Sequence, residues 1–222
     1  MKTTHDHFTF LKSYMIAYTN VKTFKEFIET TKKIASKIAM NTNYCFDPLA
    51  NKWTGKEMEM KEAIVSKVKG DMLEIFTEFF VQYFTHDKDN MFGGEIGTYN
   101  CIGDEDDTGM DAYYKLTNGG TASVQVKFRS NPKDRPFNKN VFYSLYGAAD
   151  ILEYFDKENK ADRLIFVTNN KIGDRDWQES STSQFMKLMN IINDQVILLG
   201  EEIFKEYTNG NEDFWKRFVE IE

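Results

Sequence analysis

Residues 104–129 read Asp-Glu-Asp-Asp-Thr-Gly-Met-Asp, then Ala-Tyr-Tyr-Lys-Leu-Thr-Asn-Gly-Gly, then Thr-Ala-Ser-Val-Gln-Val-Lys-Phe-Arg. Apolar and polar residues alternate on both sides of Asn-Gly-Gly, which predicts two antiparallel strands joined by a tight turn. The same stretch carries a carboxylate, an amide and an ammonium group on residues 111, 125 and 127. The geometry of the turn decides whether these three groups meet.

A two-residue loop, Asn118-Gly119, would place Asp111 opposite Val126. Successive side chains of a strand point to opposite faces of the sheet. Asp111 would then lie on the other face from Gln125 and Lys127, and the polar groups would be scattered.

A three-residue loop, Asn118-Gly119-Gly120, with a glycine in the left-handed position of a bulged turn, places Asp111 opposite Lys127 and Tyr113 opposite Gln125. The polar groups then share one face. We predict this register because it also gives the hairpin a largely apolar reverse face, formed by Ala112, Tyr114, Leu116, Val124, Val126 and Phe128.

The composition predicts one compact domain. The chain has 222 residues, of which 41% are hydrophobic and 15% aromatic, enough for one sizeable core. It has no apolar run long enough to span a bilayer, and its first residues lack the apolar segment of a secretion signal. Cys45 and Cys101 form no CxxC pair, so we expect free thiols. These features predict a cytoplasmic protein without a membrane segment.

Charge is distributed unevenly along the chain. The net charge of −7 argues against a protein that coats nucleic acid by bulk attraction. Six carboxylates and no Lys or Arg lie in residues 95–111, whereas residues 115–139 hold six basic residues and one acid. An acidic pocket beside a basic strip suits a divalent cation next to a polyanion, although chance clustering is an alternative reading of charge alone.

The remaining elements follow from periodicity and from turn residues. The order of the predicted elements is typical of an α/β fold, with a mixed sheet flanked by helices. Gly70 is a candidate break or kink in the second helix. Helices are predicted over residues 22–40, 54–84, 140–156, 183–192, 201–207 and 212–219, and further strands over 163–170 and 195–199.

Glu74 and Glu78 lie four residues apart in a strongly apolar part of the second helix. Residues at this spacing stack on one side of a helix. A carboxylate on such a surface either faces water or binds something, because burial without a partner is costly. The sequence leaves both readings open.

Glu74 on a helix, Asp107-x-Gly109-x-Asp111 before a strand, Gln125-x-Lys127 on the next strand and Val167-Thr168-Asn169 on a third form an ordered set. This set resembles the PD-(D/E)xK nuclease superfamily and is most similar to its Mrr-like branch with a QxK variant motif. The resemblance covers about residues 70–199.

The resemblance implies a restriction endonuclease-like core of helix, three-stranded meander, helix and strand. Residues 1–69 would be a helical N-terminal extension of this single domain, residues 70–199 its nuclease-like core, and residues 200–222 its C-terminal helices. The departures from the commonest pattern are Gln125, where Glu or Asp is usual, and Met110, where Pro often stands.

Roles for four residues follow from the resemblance. Asp111 would be the central ligand of Mg²⁺ or Mn²⁺, and Gln125 would add its amide oxygen. Lys127 would position or activate the attacking water and offset charge developing at phosphorus. Glu74 would act on the metal directly or through water. The expected activity is metal-dependent endonucleolytic hydrolysis of DNA.

Two alternatives stay open. One is a catalytically inactive DNA-binding or interaction module on the same fold, favoured by Gln125 and by the acidic total; the other is an RNA-directed nuclease. A homodimer is compatible with cleavage of both DNA strands. Candidates for contacts with the DNA backbone, with an ordinary solvated surface as the alternative, are Lys115, Arg129, Lys133, Arg135 and Lys139.

Overall fold

A computed structural model of the chain describes part of it. The described residues are 11–41, 57–85, 91–92, 94–102, 109–117, 119–131, 137, 140–141, 144–145, 161–172 and 196–221.

Five strands form one mixed sheet in the described part of the chain. They are β1 (Ile96–Cys101), β2 (Ala112–Leu116), β3 (Thr121–Lys127), β4 (Ala161–Thr168) and β5 (Val196–Leu199), in spatial order β1-β2-β3-β4-β5. The first three strands form an antiparallel meander, and β3, β4 and β5 are parallel. The predicted α/β fold with a mixed sheet is confirmed, with β3 in the middle.

The described helices lie largely where periodicity predicts them. A 3₁₀ helix, Lys12–Tyr18, precedes α1 (Phe24–Asn41) and α2 (Glu57–Tyr83), and the chain ends with α3 (Glu201–Thr208) and α4 (Glu212–Val219). The predicted break at Gly70 is absent, because α2 continues through this residue. None of the described helices has both the length and the apolarity needed to cross a membrane.

Two other predicted helices lie largely outside the described residues. Residues 183–192 lie wholly outside the described residues. Of residues 140–156, the four that are described, Asn140, Val141, Ser144 and Leu145, are helical. Strand β1 was not predicted from alternation, since Ile96–Cys101 contains glycine, threonine and asparagine and has only one buried residue, Tyr99.

The turn between β2 and β3 is a three-residue loop with a left-handed glycine, but it begins one residue earlier than predicted. The amide of Leu116 donates to the carbonyl of Gly120 (2.8 Å), and the amide of Gly119 donates to the carbonyl of Leu116 (3.0 Å). Gly119 has φ +93°, so it, and not Gly120, takes the left-handed position of the bulged turn.

The predicted strand register is therefore wrong by two residues. Ala112 pairs with Val124 and Tyr113 with Ser123, so Asp111 does not lie opposite Lys127. A shift of two residues keeps every side chain on its own face. The predicted apolar face is accordingly confirmed: its residues pack in the main core, with Phe128 partly buried against them.

The sheet is covered on both sides. On one face β4 contributes Ile165 and Val167 to the main core, which includes all four helices. On the other face it contributes Leu164 and Phe166 to a smaller core with Phe137 and with two further residues, Met110 and Leu145. A central parallel strand buried on both faces reads as a continuous apolar run, as this one does.

The ring of Phe76, on α2, lies at the centre of the main core and contacts aromatic rings of α1, α3 and α4. Its centroid lies 4.6 Å from that of Phe27 in α1, 5.1 Å from that of Phe204 in α3 and 5.9 Å from that of Phe218 in α4. Phe76 is fully buried. This aromatic cluster fixes α2 against the rest of the protein, and α2 carries Glu74 and Glu78.

We expect Phe76→Ala to lower the free energy of unfolding by about 3–5 kcal/mol, because it removes a buried ring and leaves a cavity. Chemical denaturation followed by circular dichroism measures the loss. Ile16→Ala is the matched control, since Ile16 is 78% exposed, and its effect should stay within about 0.5 kcal/mol. Equal losses in the two variants would contradict the assignment of Phe76 to the centre of the core.

Candidate metal centre

Asp111 lies at the start of β2, held between two strands by its own backbone. Its amide donates to the carbonyl of Val124 in β3 (2.9 Å), and its carbonyl accepts from the amide of Ile102 beyond β1 (2.9 Å). Both neighbours in the sheet therefore fix where its side chain begins.

The carboxylate of Asp111 completes the hydrogen bonding of β3. Backbone pairing between β2 and β3 ends at Ala112 and Val124. The next amide of β3 on this side, that of Val126, donates to Oδ2 of Asp111 (2.5 Å). The side chain amide of Gln125 donates to the same oxygen. The carboxylate is partly buried, and these donors offset the hydration that it has lost.

Gln125 lies inside the sheet and not on its edge. Its strand is central and its side chain is only 1% exposed. Gln125-x-Lys127 is therefore not the polar face of an edge strand. Because the amide nitrogen points to Asp111, the amide oxygen is the atom that remains for a cation.

Glu74 and Lys127 both lie close enough to Asp111 to change its titration. Burial and, next, the charge of Glu74 raise the pKa of Asp111 to about 6, while the charge of Lys127 and the two hydrogen bonds act in the opposite direction. Glu74 and Lys127 are each partly buried. Of the four residues predicted to form the site, Gln125 contacts Asp111 directly, and Glu74 and Lys127 lie within electrostatic range of it.

Glu78 adds a further carboxylate near this group. Its side chain is 1% exposed, and it accepts from the amide of Gln82 (3.2 Å) and the thiol of Cys101 (3.7 Å). Burial, and then the charges of Cys101, Glu78, Glu74 and Asp111, raise the pKa of Tyr99 well above its ordinary value. Glu78, which is not assigned to the site, is therefore more deeply buried than Glu74.

The residues present fit a hard divalent cation completed by other ligands. Within the described residues, no three His, Cys, Asp or Glu side chains cluster as a metal-binding set. Asp111 and Glu74 nevertheless suit Mg²⁺, because a cation relieves the repulsion between two carboxylates that have lost part of their hydration. Mg²⁺ keeps several waters, so these two groups and one amide oxygen can suffice as protein ligands. Asp111, Gln125 and Glu74 would hold it.

Two buried asparagines after β4 fix the chain that leaves β3. The side chain of Asn169 accepts from the amide of Arg129 (2.6 Å) and donates to its carbonyl (2.9 Å). It thus extends the hydrogen bonding between the β3 and β4 segments beyond the last paired backbone residues. Asn170 donates to the carbonyl of Asn131 (2.9 Å). Both asparagines are at most 8% exposed. The end of the strand that carries Lys127 is therefore held rigidly.

Gly109 brings the chain into β2 through a position that other residues would not tolerate. Its φ is +78°, and a Cβ built there would meet the side chain of Ser144 at 2.4 Å. Glycine adopts this conformation without steric cost. The Gly-x-Asp part of the predicted motif thus has a structural reason: it seats the residues before Asp111 against the helical residues around Ser144.

The five residues predicted to contact the DNA backbone differ in their positions relative to the site. Lys115 lies four residues from Asp111 along β2, about 13 Å towards the hairpin turn. Arg129 follows Lys127 by two residues and is partly buried. Lys133, Arg135 and Lys139 lie outside the described residues, as do the acidic residues 104–107. A role for these side chains at nucleic acid stays a prediction.

No family model matches the chain. A search of curated proteins also finds no match.

Asp111→Asn should change the pH dependence of stability in metal-free protein. The carboxyl group has a raised pKa, so between its ordinary pKa of 3.8 and about 6 the folded state holds a proton that the unfolded state releases. Stability from this group is therefore lost as pH rises through that window. Asparagine keeps an oxygen acceptor for Val126 and Gln125 without the charge.

We therefore expect the free energy of unfolding of the wild type to fall relative to that of Asp111→Asn between about pH 4 and pH 6, and the difference to level off above. Denaturant titrations across this range, with EDTA present, measure it. A constant difference across the range would show that Asp111 is not desolvated as described.

Proposed function

We propose that this protein is an endonuclease that uses Mg²⁺ or Mn²⁺ to hydrolyse phosphodiester bonds in DNA. The observation that carries the proposal is the partly buried carboxylate of Asp111, bound by Gln125 and within electrostatic range of the charges of Glu74 and Lys127. An acidic pair, an amide oxygen and a lysine around one point are the groups that a metal-assisted phosphodiesterase needs. The resemblance of the ordered motif to PD-(D/E)xK nucleases, with a restriction endonuclease-like core, supports the same reading.

The side chains have separate tasks in this proposal. Asp111, Gln125 and Glu74 would hold the cation, which would supply Lewis acidity at the phosphate and lower the pKa of a water bound to it. Lys127 lies two residues from Gln125 on the same face of β3, so its ammonium can orient the attacking water and stabilise negative charge on the phosphoryl oxygens. Val126 and Gln125 fix the orientation of the Asp111 carboxylate through their hydrogen bonds.

A second candidate is a catalytically inactive module that binds nucleic acid on the same fold. Gln125 supplies no charge, and its amide donates to Asp111. The carboxylate of Asp111 thus already has hydrogen-bond partners within the protein, as a purely structural role would also require. Titration with Mn²⁺ separates the two: a nuclease site binds the ion with an affinity that Asp111→Asn lowers strongly, whereas an inactive module shows no dependence on residue 111.

The nature of the nucleic acid is decided by a direct comparison. Duplex DNA, single-stranded DNA and RNA of one sequence are incubated in parallel with the protein and Mg²⁺. We expect cleavage of DNA. Cleavage confined to RNA would replace this proposal with that of an RNA-directed nuclease.

Asp111→Asn and Lys127→Met should each lower the cleavage rate at least about 100-fold, because the first weakens binding of the cation and the second removes the positive charge beside the reacting phosphate. EDTA should abolish cleavage by the wild type, and Mg²⁺ or Mn²⁺ should restore it. Glu206→Gln and Lys216→Met are matched controls on exposed positions of α3 and α4 and should leave the rate unchanged. Circular dichroism and thermal unfolding check that the variants fold. Cleavage that survives EDTA and both site variants would overturn the proposal.

A further inference from the structure

Lys69 is a buried lysine on α2 that the candidate metal centre does not use. Its side chain lies at the end of β3, where Nζ donates to Oγ of Ser130 (2.9 Å) and lies 5.5 Å from the centroid of the Phe128 ring. The residue is only 9% exposed. Lysine is rarely this buried unless a counter-ion accompanies it.

The described residues supply Lys69 with a hydroxyl and a ring face but with no negative charge. Asp71, two residues further along α2, forms its ion pair with Lys67 (3.5 Å) and not with Lys69. Burial and, next, the positive charge of Lys32 lower the pKa of Lys69. A buried ammonium beside a second lysine is costly, and a bound anion would offset that cost.

Lys69 and Ser130 line a cavity between α1 and α2 of about 370 Å³. Ser36, Ser66 and Lys61 also line it, and the hydroxyl of Ser36 donates to the carbonyl of Lys32 (3.0 Å). Glu62 is the one acidic residue among the lining side chains and is exposed, so its charge is screened by solvent. The wall of the cavity is mainly apolar, and its two lysines outnumber its one acid.

The position of this cavity relative to the metal centre is fixed by the end of β3. Ser130 follows Lys127 by three residues, about 10 Å of extended chain. It lies between Arg129 and Asn131, whose backbones are held by Asn169 and Asn170 respectively. Lys69 thus binds a rigid segment and does not have to be ordered when a ligand arrives.

We propose that Lys69 and Ser130 bind a backbone phosphate of the nucleic acid strand, about 10 Å from the bond that is cut. This inference rests on the proposed nuclease function and names a contact for its substrate. A phosphate contact of this kind positions the strand without reading its sequence. The strand would then pass from the cavity between α1 and α2 along the end of β3 to Asp111.

The test measures binding and not cleavage. Affinity for a fluorescein-labelled DNA duplex is followed by anisotropy at several salt concentrations, in protein that carries Asp111→Asn so that the DNA stays intact. Lys69→Met, which keeps the apolar stem, should weaken binding about tenfold and reduce the slope of log affinity against log salt by about 1. Ser130→Ala should weaken binding less and leave the slope unchanged. Lys216→Met is the control, because it removes one positive charge from a different cavity, beside Trp215.

Each outcome decides a separate point. Lower affinity with the predicted change of slope in Lys69→Met, but not in Lys216→Met, supports the phosphate contact. Lower affinity with an unchanged slope would mean that Lys69 has only a structural role, and unchanged affinity would likewise overturn the inference while the nuclease proposal stands. If the protein that carries Asp111→Asn alone binds neither DNA nor RNA, the proposed function and this inference fail together.

Discussion

The carboxylate of Asp111 is partly buried at the point where β2 stops pairing with β3, and the rest of the site depends on this. Backbone pairing ends at Ala112 and Val124, so the amide of Val126 takes a side chain oxygen in place of a carbonyl. The same oxygen accepts from Gln125. One acidic residue therefore terminates a strand, orients a central glutamine and carries a charge that the surrounding protein disfavours.

Apolar cores on both faces of the sheet, one large and one smaller, offset the unfavourable free energy of this charge. The aromatic cluster around Phe76 fixes α2, and α2 presents Glu74 and Glu78 to the meander. The asparagines after β4 fix the other end of β3. Strongly held surroundings allow unfavourable charges to be kept at a defined position, which is common at sites that bind ions or perform chemistry.

Local pattern in the sequence predicted most of the described elements and the faces of the hairpin, because alternation and helical spacing are local properties. It did not fix the register, since two adjacent glycines can each take the left-handed turn position, and the structure uses Gly119. It missed β1, whose single buried residue, Tyr99, gives no alternation. The proximity of Glu74 to Asp111 and the role of Asn169 depend on tertiary packing. Local sequence pattern does not predict such packing, and the proximity of Glu74 was expected only from the resemblance to a known family.

The central claim is that Asp111, Gln125 and Glu74 share one divalent cation. The most direct measurement is anomalous X-ray diffraction from crystals of the protein grown with Mn²⁺. The account predicts a single anomalous peak about 2.1–2.2 Å from an oxygen of Asp111 and from the amide oxygen of Gln125, with Glu74 bound directly or through water. A well-ordered structure in which Asp111 binds only Val126 and Gln125, with no peak beside it at saturating Mn²⁺, would contradict the account.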